Sequence, residues 1–200
     1  LVSIYFRQAL AANPRVGFIL QNPHHREVLV RKRMASPDQI QLISGAGVNT
    51  QRFRMRPEPP GRIKVLTHAR MLWDKGIGDL VEAAKILKAK RIPCDISLVG
   101  DPDPANPASI PKAQLKQWNA AGIVAWQPRR DDIPELLAQH HIACLPSYHE
   151  GFPLSVVEAM SCGRPVVTTD IPGCKDAITH ESTGLLVPPR HPQELAAALS

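Results

Sequence analysis

The sequence predicts an α/β fold, a doubly wound parallel sheet of Rossmann-like type, on the basis of three observations. From Ile63 onward, short apolar runs alternate with segments of helical periodicity. A shorter β-α-β pattern lies nearer the start, and a Pro-rich stretch at residues 56–61 separates the two regions. No internal repeat or low-complexity tract interrupts the alternation. Such alternation specifies β-α-β units with right-handed crossovers, and therefore a parallel sheet with helices on both faces.

The individual elements follow from the apolar pattern in chain order. Before the Pro-rich stretch, we predict strands at 16–20 and 40–43 around a charged helix at about 24–34. After it, the predicted strands are 63–67, 95–99, 123–126, 142–145, 165–168 and 184–187. The predicted helices are 77–90, 111–120, 132–139, 153–161, 174–179 and 192–200. In open sheets ligands bind at the carboxyl ends of strands, so the loops after residues 67, 99, 126 and 145 are the expected site.

The composition limits the class of protein. With 44% hydrophobic residues among 200, the chain can bury a sizeable core, and it has no apolar run long enough to cross a membrane. The four cysteines are scattered without a CxxC pattern, which argues against a zinc site and a disulfide framework and fits reduced thiols in the cytoplasm. We interpret the sequence as a fragment cut from a longer chain at both ends, with its domain boundary in the Pro-rich stretch.

The net charge of +6 is unevenly distributed. Residues 1–70 hold 12 Lys and Arg against 3 Asp and Glu, whereas residues 71–200 hold 12 against 15. The basic segment is either a solvated face or a surface attracted to anionic membranes or phosphate-bearing partners, and both interpretations stay open. Nucleic acid is less favoured, because aromatic residues make up only 4% of the chain.

The most informative local pattern spans Ser147 to Pro165, where a turn, a helix and its stop are all marked. Pro153 suits the first helical turn, and Gly163 suits a left-handed cap that Pro165 then prevents from continuing. The backbone amides at Gly151, Phe152, Pro153 and Leu154 are predicted to form an anion site at the helix N-terminus. A phosphate group is the expected occupant.

Two glutamates flank this turn. Glu158 lies one helical turn past Leu154, where a carboxylate could accept hydrogen bonds from a ribose diol. Glu150 lies just before the helix, within reach of a sugar attached to the phosphate. Alternatively, Glu150 is an exposed turn carboxylate and Glu158 is solvated, but the apolar neighbours of Glu158 favour a functional role.

A second motif runs from His68 to Gly76, in the loop after the first main strand. Arg70 and Lys75, five residues apart, could clamp a diphosphate through a planar guanidinium and a point charge. Alone they would more often be surface charges, and it is their position after a buried strand that favours the clamp. The pair Asp101 and Asp103 resembles a metal-binding Asp-x-Asp, but the surrounding prolines indicate an extended loop, and we expect no metal.

The remaining chemistry-bearing residues suggest no further site. The eight histidines show no metal-ligand spacing, and the adjacent pairs His24-His25 and His140-His141 are predicted to be solvated or capping. No nucleophile has the strand-elbow context of a hydrolase. We therefore expect neither a metal nor any other cofactor.

The quoted residues resemble a known family. Glu150 and Glu158 with seven residues between them, then Ala159-Met160 and a Gly-Arg-Pro-Val-Val run, look like the paired-glutamate motif of the retaining family 4 glycosyltransferases of GT-B fold. The likeness extends over about residues 40–200 and is greatest to bacterial enzymes that add hexose or N-acetylhexosamine to surface polysaccharides. Two departures are Ala69, where the family has glycine, and a missing glycine near Gln127, which leaves the identity of the base open.

The resemblance implies a division of labour along the chain. Residues 1–56 would be the end of the acceptor-side domain and the interdomain linker, and residues 57–200 a truncated nucleotide-sugar-binding domain. Arg70, Lys75 and Glu150 would act in catalysis, and Arg70, Lys75, residues 151–154 and Glu158 would bind the donor. The chain on its own would be inactive, because catalysis needs a closed cleft between two domains.

The implied activity is transfer of a sugar, with anomeric retention, from a UDP-sugar to a saccharide or a polyprenyl-diphosphate-linked acceptor. The implied location is the cytoplasm, with peripheral membrane contact through the basic segment. Two alternatives stay open: a nucleotide-sugar-binding module without catalysis, and a nucleotide-sugar epimerase of the same fold.

Overall fold

The computed structural model describes residues 16–200, which divide into two compact units at Gly47 and Val48. In the first unit, the strands β1 (Phe18–Leu20) and β2 (Ile40–Leu42) pair in parallel, and the helix α1 (Pro23–Arg31) connects them. The Asn22 side chain caps α1 by accepting a hydrogen bond from the His25 amide at 2.9 Å. The predicted β-α-β unit is confirmed, although its strands are shorter than expected.

The second unit contains the predicted alternation of strands and helices. Its strands are β3 (Ile63–His68), β4 (Cys94–Val99), β5 (Ala125–Gln127), β6 (Ile142–Leu145), β7 (Val166–Thr169) and β8 (Gly184–Val187). Its helices are α2 (Ile77–Ala89), α3 (Lys112–Ala120), α4 (Ile133–Ala138), α5 (Leu154–Ser161), α6 (Cys174–Ala177) and α7 (Pro192–Ala198). β5 begins later than predicted, because the Ile123 amide still bonds to Trp118 in the turn that ends α3.

The six strands form one parallel sheet in the order β5-β4-β3-β6-β7-β8. The chain first builds outward from β3 to β5 and then returns to place β6 beside β3. The junction of β3 and β6 is therefore the topological switch point, where the loops leaving adjacent strands diverge and open a crevice. The predicted doubly wound fold is confirmed.

The core lies on both faces of this sheet. Val65 and Leu66, adjacent on β3 and both fully buried, belong to two separate apolar clusters because successive strand residues point to opposite faces. One cluster includes residues of α2, α3 and α7, and the other includes residues of α4 and α5. Helices on both faces fix the strand ends that carry the site.

The segment that follows Gly47 packs with the second unit. Phe53 is 5% exposed and lies in the same apolar cluster as α5. The buried Arg164 donates hydrogen bonds to the carbonyl oxygens of Arg56 and Pro57, at 2.5 and 2.8 Å. These contacts tie the predicted linker to the second unit, which begins at Val48.

Helix α5 ends as the sequence predicts. Gly163 adopts the left-handed conformation with φ of 74°. The amides of Gly163 and Arg164 bond to the carbonyls of Met160 and Ala159, each at 2.9 Å, which is the Schellman arrangement. The helix is therefore short, and the chain turns directly into β7. Among residues 16–200, none of the helices is long and apolar enough to cross a membrane.

Candidate functional site

All four predicted loops are joined by backbone hydrogen bonds at the carboxyl edge of the sheet, where the Gly100 amide also bonds to the Gln127 carbonyl at 3.1 Å. The Ala69 amide, just after β3, bonds to the Val99 carbonyl of β4 at 3.1 Å. The Tyr148 amide, in the loop after β6, bonds to the Asp74 carbonyl in the loop after β3 at 2.8 Å. The loops that leave β3 and β6 are thus held against each other at the switch point.

Gly76 makes this close approach of the two loops possible. Its φ is 69°, and a Cβ atom at this position would lie 1.9 Å from the Pro146 carbonyl oxygen. A side chain at this position would push the loop after β3 away from the loop after β6. The glycine therefore fixes the position of its neighbour Lys75.

Lys75 and Glu150, both predicted site residues, form an ion pair. The Lys75 Nζ lies 2.6 Å from the Glu150 Oε1, and the two side chains are 21% and 10% exposed. A carboxylate with so little solvent requires a charged partner, and a charge-assisted bond of this length supplies it. The structure thus places a cation immediately before helix α5.

The start of α5 presents backbone donors beside this ion pair. Within the described part of the chain, the amides of Phe152, Leu154 and Ser155 donate no hydrogen bond, and no side chain caps the helix. The prediction that residues 151–154 all supply amides is wrong for Pro153, since proline has no amide hydrogen. Leu154, the first residue of the helix, is 50% exposed.

Arg70 lies in a neighbouring cleft and has a different partner. Its Nη1 lies 2.9 Å from the Asp103 Oδ2, and the Arg70 side chain is 61% exposed. Within residues 16–200, no hydrogen bond or ion pair joins Arg70 to α5. Asp103 is thus paired with the Arg70 guanidinium.

The cleft beside Arg70 has a volume of about 440 Å³, which is in the range of small-molecule sites. Its lining includes His68, Arg70, Gly100, Asp103 and Arg130.

Glu158 has a partner that the sequence analysis did not identify. The His68 Nε2 lies 3.0 Å from the Glu158 Oε2, and the side chains are 10% and 16% exposed. The contact joins the end of β3 to α5 across 90 residues of sequence. No local pattern predicts such a contact, although His68 opens the same motif that contains Arg70.

Tyr148 is a second residue that the sequence analysis missed. Its hydroxyl donates to the Asp79 Oδ2 at 2.9 Å, and the Arg190 guanidinium lies 4.1 Å from the centre of its ring. Burial, together with the hydrogen bond to Asp79, raises the pKa of Tyr148 to about 12. The phenol therefore stays protonated, and it holds the loop that carries Glu150 against α2.

His140 and His141 are buried, with 7% and 5% exposed, so neither is solvated, but His140 contacts a carbonyl in the last turn of α4, in agreement with the predicted capping role. They lie after α4, at the amino-terminal edge of the sheet. The His140 Nδ1 lies 2.7 Å from the Leu136 carbonyl oxygen, and its Nε2 lies 3.0 Å from the Ser97 Oγ. Among residues 16–200, no cluster of three or more His, Cys, Asp or Glu could hold a metal ion.

Burial lowers the pKa of His140, and this predicts a pH-dependent stability. Burial disfavours the charged imidazolium in the folded state. The contribution of His140 to folding stability is therefore fully present above its pKa in the unfolded chain, near 6.5, and is lost as the pH falls below that value. Between about pH 7.5 and about pH 5.5, we expect the unfolding free energy of His140→Gln to fall less than that of the wild type. Urea denaturation at the two pH values measures both. The exposed control His24→Gln should show the wild-type loss, and an unchanged loss in His140→Gln would contradict the prediction.

Comparison with known proteins identifies the family. A model described as glycosyl transferases group 1 matches residues 62–200, which include the whole main sheet and the loops of Lys75 and Glu150. The chain belongs to the group 1 glycosyl transferases. This membership confirms the predicted resemblance to glycosyltransferases.

Two curated relatives illustrate the likeness. The N,N'-diacetylbacillosaminyl-diphospho-undecaprenol alpha-1,3-N-acetylgalactosaminyltransferase of Campylobacter jejuni is 40% identical over 136 residues, 68% of this chain and 34% of that protein. The amylovoran biosynthesis glycosyltransferase AmsK of Erwinia amylovora is 29% identical over 181 residues, 83% of this chain and 42% of AmsK. The chain thus spans between a third and a half of the length of these relatives.

Solved structures show the same fold. Anabaena HepE, crystallised with UDP, has a TM-score of 0.80 and 22% identity, over 100% of this chain and 57% of HepE. The same protein has also been solved with UDP-glucose, with a TM-score of 0.78. The structural neighbours are glycosyltransferases of GT-B fold.

Proposed function

We propose that this chain is the donor-binding half of a retaining family 4 glycosyltransferase that takes its sugar from UDP. In the proposed reaction, the bond between the sugar C1 and the diphosphate oxygen breaks, and an acceptor hydroxyl oxygen bonds to C1 on the same face. The hydroxyl proton leaves with the diphosphate. The acceptor is a saccharide or a polyprenyl-diphosphate-linked saccharide, at the cytoplasmic side of the membrane.

The observation that carries this proposal is the Lys75–Glu150 pair beside the uncapped start of α5. The departing diphosphate needs positive charge and hydrogen-bond donors at the point where negative charge develops. Lys75 and the amides of Phe152, Leu154 and Ser155 offer both. In the proposal, Arg70, exposed in the adjoining cleft, supplies a second cation, and Glu158 holds the ribose.

The relatives support the choice of substrates. The Campylobacter relative is named for transfer to an undecaprenol-linked diphosphate sugar, and AmsK is named for polysaccharide synthesis. HepE has been solved with UDP and with UDP-glucose. Because cations and amides can neutralise the diphosphate, we propose that transfer needs no metal ion and that EDTA leaves the rate unchanged.

Calorimetric titration of the chain with UDP, GDP and ADP tests donor binding. We expect UDP to bind with micromolar affinity and more tightly than the other two, and binding of none of the three would contradict the proposal. Glu150→Gln should weaken binding of UDP-sugar more than binding of UDP, because Glu150 is assigned to the sugar. The exposed Glu82→Gln, which changes a surface pair on α2, is the matched control.

Sugar transfer by the full-length protein tests the reaction. With UDP-sugars and a lipid-linked saccharide, we expect an α-linked product, identified by the anomeric coupling in NMR spectra, with or without EDTA. A β-linked product would overturn the assignment of retention. Epimerised nucleotide sugar, or binding without any turnover, would point to the two alternative functions.

A further inference from the structure

The contact between His68 and Glu158 is not used by the proposed transfer reaction. Their side-chain atoms Nε2 and Oε2 are 3.0 Å apart, and both side chains are largely buried. A carboxylate in this setting loses most of its hydration and must be compensated by hydrogen bonds. His68 is the partner that supplies one of them.

The chemistry of the two groups decides the direction of this hydrogen bond. An ionised carboxylate only accepts, so the His68 Nε2 carries a hydrogen and donates it to the Glu158 Oε2. The second carboxylate oxygen, Oε1, has further lone pairs available for a ligand. One oxygen of Glu158 thus bonds to His68, which lines the cleft, while the Glu158 Oε1 has no hydrogen-bond partner among the described residues.

His68 is attached to a rigid support. It is the last residue of β3, in register with Val99 of β4. The preceding residue, Thr67, is fully buried and donates through its Oγ1 to the Cys144 carbonyl oxygen of β6 at 2.7 Å. The imidazole is therefore attached to the innermost part of the sheet, and Glu158, with its longer side chain, is restrained by it.

We infer that His68 is a positioning residue for ribose recognition: by holding one oxygen of Glu158, it presents the other to the ribose diol of a nucleoside diphosphate. This inference rests on the proposed function, in which Glu158 holds the ribose. Restraining Glu158 before the ligand arrives removes the cost of ordering its side chain during binding. The benefit applies to ligands that carry the diol and not to those that lack a hydroxyl.

The test compares UDP with 2'-deoxy-UDP, which removes one hydroxyl of the diol. We expect the wild type to bind UDP about tenfold more tightly than 2'-deoxy-UDP, as a hydrogen bond to a charged group predicts. His68→Val and Glu158→Gln should each reduce this preference to about twofold. The double variant should show the same twofold preference, because the two residues act as one unit.

Two further variants separate positioning from structural support. His68→Gln keeps a side-chain N–H donor and should retain most of the preference, whereas His68→Asn is too short to reach the carboxylate and should lose it. His24→Val, on the surface of α1, should match the wild type. A merely structural role would weaken both nucleotides equally and leave their ratio unchanged.

The outcomes distinguish this inference from the proposed function. If UDP binds and is preferred, but His68→Val and His68→Asn keep the full preference, the inference fails and the proposed function stands. If the wild type does not distinguish the two nucleotides, the ribose role of Glu158 and the inference both fail. If the wild type binds neither nucleotide, the proposed function fails as well.

Discussion

Lys75→Ala is expected to lower kcat for sugar transfer by the full-length protein about 10²- to 10³-fold, because the variant lacks the cation that neutralises the leaving diphosphate. Lys75 is also the ion-pair partner of Glu150, at 2.6 Å, so its removal leaves a buried carboxylate without compensation. The measurement is steady-state transfer from UDP-sugar at saturating acceptor.

Lys85→Ala is the matched control for this experiment. Lys85 forms an exposed pair with Glu82 on α2, and its loss should change neither the rate nor the stability appreciably. Circular dichroism of both variants checks that the fold persists. A Lys75→Ala protein that is folded and transfers sugar at the wild-type rate would refute the role assigned to this lysine.

Gly76→Ala is expected to destabilise the protein by about 3 kcal/mol or more, because the new side chain collides with backbone and not with a movable side chain. The added Cβ atom would lie 1.9 Å from the Pro146 carbonyl oxygen. Relief requires the loops after β3 and β6 to separate, which also moves Lys75 away from Glu150. Urea denaturation measures the stability, and UDP titration at low temperature measures the damage to the site.

Gly122→Ala separates the collision from the backbone strain. Gly122 is also left-handed, with φ of 59°, but a Cβ atom there meets nothing within 4 Å. Its replacement should cost only the left-handed strain, about 1 kcal/mol. Equal destabilisation by the two variants would show that contact with Pro146 is not what restricts position 76.

The sequence predicts the sheet well because its signal is local. Each buried strand of the second unit is a short apolar run, and each helix shows its own periodicity, so their order and the parallel arrangement follow. The errors lie at element ends: β5 was predicted at 123–126 and is found at Ala125–Gln127, since the apolar Ile123 and Val124 belong to the turn before it. Apolar character alone does not show where a strand begins.

The candidate site was predictable in part for the same reason. Lys75 and Glu150 could be placed at one edge of the sheet, because the topology brings the loops after β3 and β6 together. The pairing of His68 with Glu158 could not, because it depends on side-chain orientations at the ends of two distant elements. The burial of His140 and His141 was missed because polar residues are usually exposed, and only the packed structure shows the partners that permit their burial.

The ion pair of Lys75 and Glu150 also affects how strongly the site binds small anions. The two charges compensate each other, so Lys75 presents little net positive charge to a small anion. A lone inorganic ion that approaches the ammonium also meets the carboxylate, and the repulsion offsets much of the attraction. A larger guest can extend beyond the carboxylate to the amides of α5. The site is therefore expected to bind the small inorganic anions of the surrounding solution only weakly.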